Sequence, residues 1–309
     1  MTLELYPLRF HFVAKDPIHF PAGKPGNILR GAFGHIFKRI ACVPECLDTS
    51  CCELRRECSY ARIFETASIE PGPSGFANWP RPFVFRAGHL DGVTIQPGQS
   101  FYFDVNIFDL HDTTIAYFVL VFAQLATEGI GPSRGRATLS SVWQLDVSGQ
   151  PYIQIDNRTS TRPLGISLAP PLQPIRAIRV EFITPTELKA RDEIVLQPDF
   201  PALFRRVRDR VGIMLDLYGQ GAFEIDFQAM GERSTLIRMT HCDIHHVHVS
   251  RTSTRTGQTH PLGGFVGSAE YQGINLTEFV PFLEAAQWTG VGRHTVWGNG
   301  EILVHVMRE

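Results

Sequence analysis

The feature that most restricts this chain is an order of elements that occurs twice. In the first half, Leu8, Phe10 and Phe12 alternate over Leu8 to Val13, and apolar residues two apart share one face of a strand. Asn27 then stands where a helix is capped, and Leu29, Ala32, Phe33, Ile36, Phe37 and Ile40 follow at three- and four-residue spacing. Strand-like stretches at Phe83 to Arg86 and Phe101 to Phe108 come next. An apolar helix opened by Asp112 or Thr113 runs to about Ala126, and alternation returns from Thr138 to Leu145. Past a stretch rich in Ser, Thr and Pro the same order reappears. It reads as a strand at Ile178 to Ile183, a helix at Asp199 to Tyr218, strands at His241 to Ser250 and Gly264 to Tyr271, a helix at Thr277 to Trp288, and a last strand at Ile302 to Met307.

This β-α-β-β-α-β order is that of the ferredoxin-like motif, which RNA-recognition (RRM-like) domains also use. The expected class is α+β, with two tandem ferredoxin-like domains at residues 1–156 and 175–309 and a linker over 157–174. A length of 309 residues, 43% of them hydrophobic, suits two such cores. In each half a glycine-rich loop joins the second helix to the last strand. The first, Gly129 to Arg136, carries Arg134 and Arg136. The second, spanning 290–300, places Arg293 and His294 between Gly290, Gly292 and Gly298, Gly300. Such glycines either let a polyanion approach the backbone amides or meet the geometry of a turn. Recurrence at the same place in both halves favours phosphate contact.

A formal charge of −2 excludes a globally basic nucleic-acid binder, so any such surface is local. Arg205 and Arg206 lie on an arginine-rich helix, and Arg251 and Arg255 lie on a polar hairpin tip of the kind that contacts phosphate. On the first helix Gly31, Gly34, His35 and Lys38 form either a solvated face or a site in which the glycines leave room for a ligand. The strand histidines divide between two faces, His241 and His245 on one, His246 and His248 on the other, which argues against one metal site. No export leader precedes Phe20, and the apolar run Ile115 to Ala126 is too short to span a bilayer, so a soluble cytoplasmic protein with reduced cysteines is expected. Cys42, Cys46, Cys51, Cys52 and Cys58 crowd one insertion. They admit two readings: a structural zinc on Cys46, Cys51 or Cys52, and Cys58 with Cys42, or a packed loop without metal.

Four places resemble the CRISPR precursor-RNA processing endoribonucleases of the RAMP superfamily, in their cysteine-containing variant. Gly290-Val-Gly-Arg-His-Thr-Val-Trp-Gly-Asn-Gly300 is similar to the superfamily's glycine-rich loop, with Asn299 departing from the usual apolar residue. Pro261 to Gly267 resembles the strand leading into the helix before that loop; Ile183-Thr184-Pro185-Thr186 with Pro198-Asp199-Phe200 resembles the start of the second domain. Leu29 to Lys38, with the cysteines and Cys58-Ser59-Tyr60-Ala61-Arg62-Ile63-Phe64-Glu65, resembles the first helix and the segment after it. The resemblance implies metal-independent cleavage of CRISPR repeat RNA, leaving a 2′,3′-cyclic phosphate and a 5′-hydroxyl, and guide RNA as product. It implies His35 as general acid or base, Lys38 as electrostatic partner and Tyr60 as a third catalytic candidate. His294 is the rival to His35. Repeat RNA and other Cas effector subunits are the implied partners, with no membrane. A non-catalytic RAMP subunit that holds the guide RNA is the alternative.

Overall fold

The computed structural model describes residues 1–43, 46, 52–66, 79–156, 161–190, 193–219, 221, 225–252 and 259–307; of residues 251, 252, 259 and 260 it describes the backbone only. The chain divides into two compact units, Glu4–Leu164 and Met1–Leu3 with Gly165–Glu309. Both are ferredoxin-like.

The first unit uses strands β1 (Thr2–Ala14), β2 (Phe83–Arg86), β3 (Ser100–Ile107) and β4 (Ala137–Leu145), with helices α1 (Pro25–Ala41), α2 (Ser59–Ile63) and α3 (Thr114–Glu128). Its antiparallel sheet runs β2-β3-β1-β4, with Pro151–Gln154 beyond β4. Phe10 pairs with Phe103 and Phe12 with Phe101, which puts all four rings on one face. Helices α1 and α3 cover that face: Phe33 stacks on Phe118 with centroids 4.5 Å apart, and Phe10 meets Phe122 at 4.6 Å. Phe10, Phe12, Phe33, Phe103, Phe118 and Phe122 have no solvent exposure. Truncating any one of them leaves a large cavity in a close-packed cluster.

The second unit repeats the plan. Strands β5 (Ala177–Thr186), β6 (Arg238–Val247), β7 (Gly264–Gln272) and β8 (Ile302–Val306) form a sheet in the order β6-β7-β5-β8, which is the first unit's order position for position. Along β5 every second residue, Ile178, Val180, Phe182, Thr184 and Thr186, is buried. Helices α4 (Phe200–Tyr218), α5 (Phe227–Ser234) and α6 (Val280–Thr289) belong to the same unit. Phe200, Leu203, Phe204, Val207, Val211, Met214 and Leu215 make the buried stripe of α4, and Phe204 meets Phe279 at 4.6 Å.

Two expectations are corrected here. The stretch expected to be a linker, 157–174, contains a strand, Leu164–Ser167, that pairs with β1. The histidine-bearing strand ends at Val247, and Ser250 begins a separate short strand; a register shift between Met239 and His241 interrupts its pairing with β7. His241, His245, His246 and His248 are all exposed along this sheet-edge strand and just past its end. Among the described residues, no helix is long and apolar enough to cross a membrane.

Candidate active site and glycine-rich loops

Helix α1 is seated on the sheet by Leu29, Phe33, Ile36 and Phe37, so its opposite face is fixed in direction. Gly31, His35 and Arg39, four residues apart, are exposed on that face, and Lys38 is half-buried one turn from His35. A side chain at Gly31 would meet nothing within 4 Å, so the surface beside His35 is open. Gly34 has a different role: a Cβ there would lie 2.0 Å from the Phe64 ring, so its missing side chain admits that ring rather than a ligand. Arg39 forms an ion pair with Glu128 at the end of α3.

Tyr60, expected as a third catalytic group, belongs to the core. It is 6% exposed and lies between Phe37 and Phe64, at 5.6 and 5.4 Å. Burial, followed by the nearby Glu65 charge, raises its phenol well above the usual range, so it stays protonated.

The two loops end their helices in the same way, with Gly129 as the C-cap of α3 at φ 108° and Gly290 as the C-cap of α6 at φ 72°. In the second loop the glycines serve close packing before any ligand. A Cβ at Gly292 would sit 2.3 Å from the Glu187 carbonyl oxygen, and one at Gly300 only 1.9 Å from that of Val291. The amides of Val291, Arg293, Gly298 and Gly300 donate to the carbonyls of Gly300, Glu187, Thr295 and Pro185. These four donors are spent inside the fold. What the loop presents is its side chains. Arg293 is half-exposed and bonded to the buried Glu187 carboxylate at 2.6 Å. His294, at a left-handed φ of 63°, stacks on Trp297 at 4.8 Å.

The other expected cationic positions divide by environment. Arg134 and Arg205 are exposed. Arg136 is exposed but held by Asp16, from which its side chain and its amide lie at 2.7 and 3.1 Å. Arg206 is part-buried and donates to the Lys189 carbonyl at 2.6 Å. The side chain of Arg251 and the whole of Arg255 lie outside the described residues, as does Cys51.

Cys42, Cys46, Cys52 and Cys58 are free thiols. Burial first, then Cys58 and Cys46, pushes the Cys42 thiol up to about 12, so it is protonated when no metal is bound. Among the described residues no three His, Cys, Asp or Glu side chains already surround a metal-sized point.

Sequence patterns missed the residues that brace the second loop. Thr184 Oγ1 donates to the Gly298 carbonyl at 2.8 Å and accepts the Glu301 amide at 2.9 Å, while Glu187 anchors Arg293. The signal for Thr184 was a polar residue on the buried face of β5. Asn299, 8% exposed, donates to the Leu262 carbonyl at 2.8 Å and so ties the loop to the start of β7. Asn299→Ala leaves that carbonyl buried without its partner, and a loss of about 1–3 kcal/mol is expected, read as a lower urea midpoint at unchanged slope. A midpoint equal to that of the native chain would remove Asn299 from the loop's support.

Residues 3–163 match the family AF_1859_N, an N-terminal domain, and residues 180–302 match the CRISPR-associated endoribonuclease Cas6. No curated protein matches the sequence. Among solved structures the chain is similar to a Cas6 product complex, at 15% identity and a TM-score of 0.57, covering 98% of this chain and 100% of that one. It is similar to Thermus thermophilus Cas6 at 15% and 0.53, covering 99% of each. It is also similar to a partial Cas6-RT-Cas1–Cas2 complex at 14% and 0.58, covering 99% of this chain and 46% of that one. At these identities the likeness is one of fold. Residues 180–302 thus belong to the CRISPR-associated Cas6 endoribonuclease family and residues 3–163 to the family of the AF_1859_N N-terminal domain, and the fold is shared end to end with Cas6 proteins.

Proposed function

We propose that the protein binds the repeat RNA of a CRISPR transcript and cuts it within the repeats without a catalytic metal. The ribose 2′-oxygen forms a bond to the adjacent phosphorus, and the bond from phosphorus to the 5′-oxygen of the next nucleotide breaks. A base takes the 2′-hydroxyl proton and an acid supplies one to the departing oxygen, leaving a 2′,3′-cyclic phosphate and a 5′-hydroxyl. Nothing in this exchange requires more than a positioned acid–base pair and a cation near the phosphorane.

The observation that carries this reading is His35: an exposed imidazole on a helix locked by Phe33 and Phe37, one turn from Lys38 and beside the open surface at Gly31. His35 acts as the acid or base and Lys38 offsets the charge developing on the phosphate. Arg293 and His294, with the exposed Arg134 and Arg205, contact the RNA backbone. A protein of similar fold has been solved as a Cas6 product complex, which supports RNA as the substrate class.

The test is incubation with the cognate repeat RNA in EDTA, with folding followed by circular dichroism. Cleavage to a 2′,3′-cyclic phosphate end is expected. Cleavage that returns only with added divalent metal, on a chain that stayed folded, overturns the mechanism. Tight binding of uncut RNA with or without metal overturns the catalytic role and identifies a guide-holding subunit.

A further inference from the structure

The face of the first sheet that looks away from its phenylalanine core carries an unusual set of side chains. Alternation puts Arg9 and His11 of β1, Tyr102 and Asp104 of β3, and Ser141 and Trp143 of β4 on that face, because Phe10, Phe12, Phe101, Phe103 and Val142 point into the core. The solvated face of an antiparallel sheet is ordinarily just polar. Here it holds Tyr, Trp, His and Arg, the side chains that offer flat π surfaces.

These groups form a row centred on Tyr102. From the β1 side the Arg9 guanidinium lies 4.1 Å from the centre of the phenol ring, held by two bonds to the Asp104 carboxylate at 2.8 and 2.9 Å. From the β2 side comes His89, on the helical turn Gly88–Leu90, which stacks on Tyr102 with centroids 4.4 Å apart and planes 26° apart. His11 lies 5.6 Å from the same ring. Trp143 pairs with Arg9 across β1 and β4, and its Nε1 donates to Ser141 Oγ at 3.0 Å. Cross-strand packing accounts for Arg9, His11 and Tyr102 as neighbours. It does not account for His89. That side chain is exposed, yet its Nε2 donates to the Tyr102 carbonyl at 2.9 Å, which holds the ring flat against the phenol.

We propose that this row is a stacking platform for two unpaired bases of the RNA, one of them seated against His89. β1 and β3 are the central strands of the sheet, and in RNA-recognition domains aromatic side chains of such a sheet stack two or three bases. Every base has a π face, so the platform tolerates different sequences. It rests on the RNA-binding reading above and places a single-stranded part of that RNA on the side of the first unit away from α1, since α1 covers the phenylalanine face. The platform therefore holds RNA and takes no part in proton transfer at His35.

The experiment uses the full chain with a labelled single-stranded adenosine hexamer, and with the repeat RNA in parallel. His89→Ala and Tyr102→Ala are each expected to weaken hexamer binding by about 5–100-fold, and Tyr102→Phe, which keeps the ring, to bind as the native chain does. Cleavage of saturating repeat RNA is expected to keep its native rate in all three. Urea midpoints are measured alongside; His89→Ala, at an exposed position, decides the matter if Tyr102→Ala unfolds. A hexamer carrying 5-iodouridine is expected to photo-crosslink to the peptides of His89, Tyr102 or Trp143, a readout that needs no variant. Native hexamer affinity in folded His89→Ala, or crosslinks confined to residues beyond 164, overturns the platform and leaves the cleavage reading standing. Crosslinks at these residues on a chain that cuts no repeat RNA support the platform and overturn the catalytic reading alone.

Discussion

His35→Ala is expected to slow cleavage of the repeat RNA by about 10²–10⁴-fold while leaving the thermal midpoint and RNA affinity nearly unchanged. The stability part follows from exposure: the imidazole stands on the outer face of α1 and fills no space in the core. The kinetic part follows from chemistry, because the lost group moves protons in the transition state and is not needed to hold the RNA backbone. Lys38→Ala is expected to cost less in rate, since removing one charge leaves the acid–base step in place. Tyr60→Phe separates packing from catalysis. It keeps the ring between Phe37 and Phe64, and a normal rate is expected because the hydroxyl belongs to a buried side chain. If His35→Ala cuts at the native rate, the assignment to α1 fails, and His294 on its Trp297 platform becomes the residue to replace.

Gly300→Val is expected to destabilise the second unit by about 4 kcal/mol or more, at the severe end for a single substitution. Two effects add. At φ 69° a side chain is strained whatever the space around it, and the new Cβ would lie 1.9 Å from the Val291 carbonyl oxygen. That oxygen is backbone, and the amide of the same residue donates to the Gly300 carbonyl at 2.9 Å. The loop must open, and the bond that Thr184 donates to Gly298 and the bond that the Gly300 amide donates to the Pro185 carbonyl open with it. Gly212→Ala is the matched control: it lies inside α4 with nothing within 4 Å of the added carbon, so a gain of roughly 0.5–1 kcal/mol is expected. Urea unfolding of both variants is the measurement. A Gly300→Val midpoint equal to that of the native chain would show that the loop is not a packed element.

Both predictions depend on a distinction that periodicity does not carry. The order of strands and helices was legible because it is local: alternation over Leu8, Phe10 and Phe12, or the spacing of Leu203, Val207 and Val211, reports which face is buried whatever lies opposite. His35 was legible for the same reason, since a polar residue opposite a helix's apolar stripe faces out. The partners were not. Nothing near Gly34 in sequence announces the Phe64 ring, and nothing near Arg293 announces Glu187, more than a hundred residues earlier in the chain. Tyr60 looked like a candidate because a phenol is chemically versatile, and only its neighbours Phe37 and Phe64 show that it is packing.

The cysteines fall between these cases. Their density pointed to two readings, and composition had no means of choosing. The structure adds that Cys42, Cys46, Cys52 and Cys58 are free thiols and that none of the described residues from Cys42 to Cys58 is buried.

The sequence by itself determined the duplicated ferredoxin-like plan and the outward face of α1, because hydrophobic spacing encodes burial directly. Only the tertiary structure decided what the glycine loops do. Whether a glycine opens an amide to a phosphate or makes room for a carbonyl depends on which distant atom lies beside it. Here, at Gly292 and Gly300, it is backbone from Glu187 and Val291.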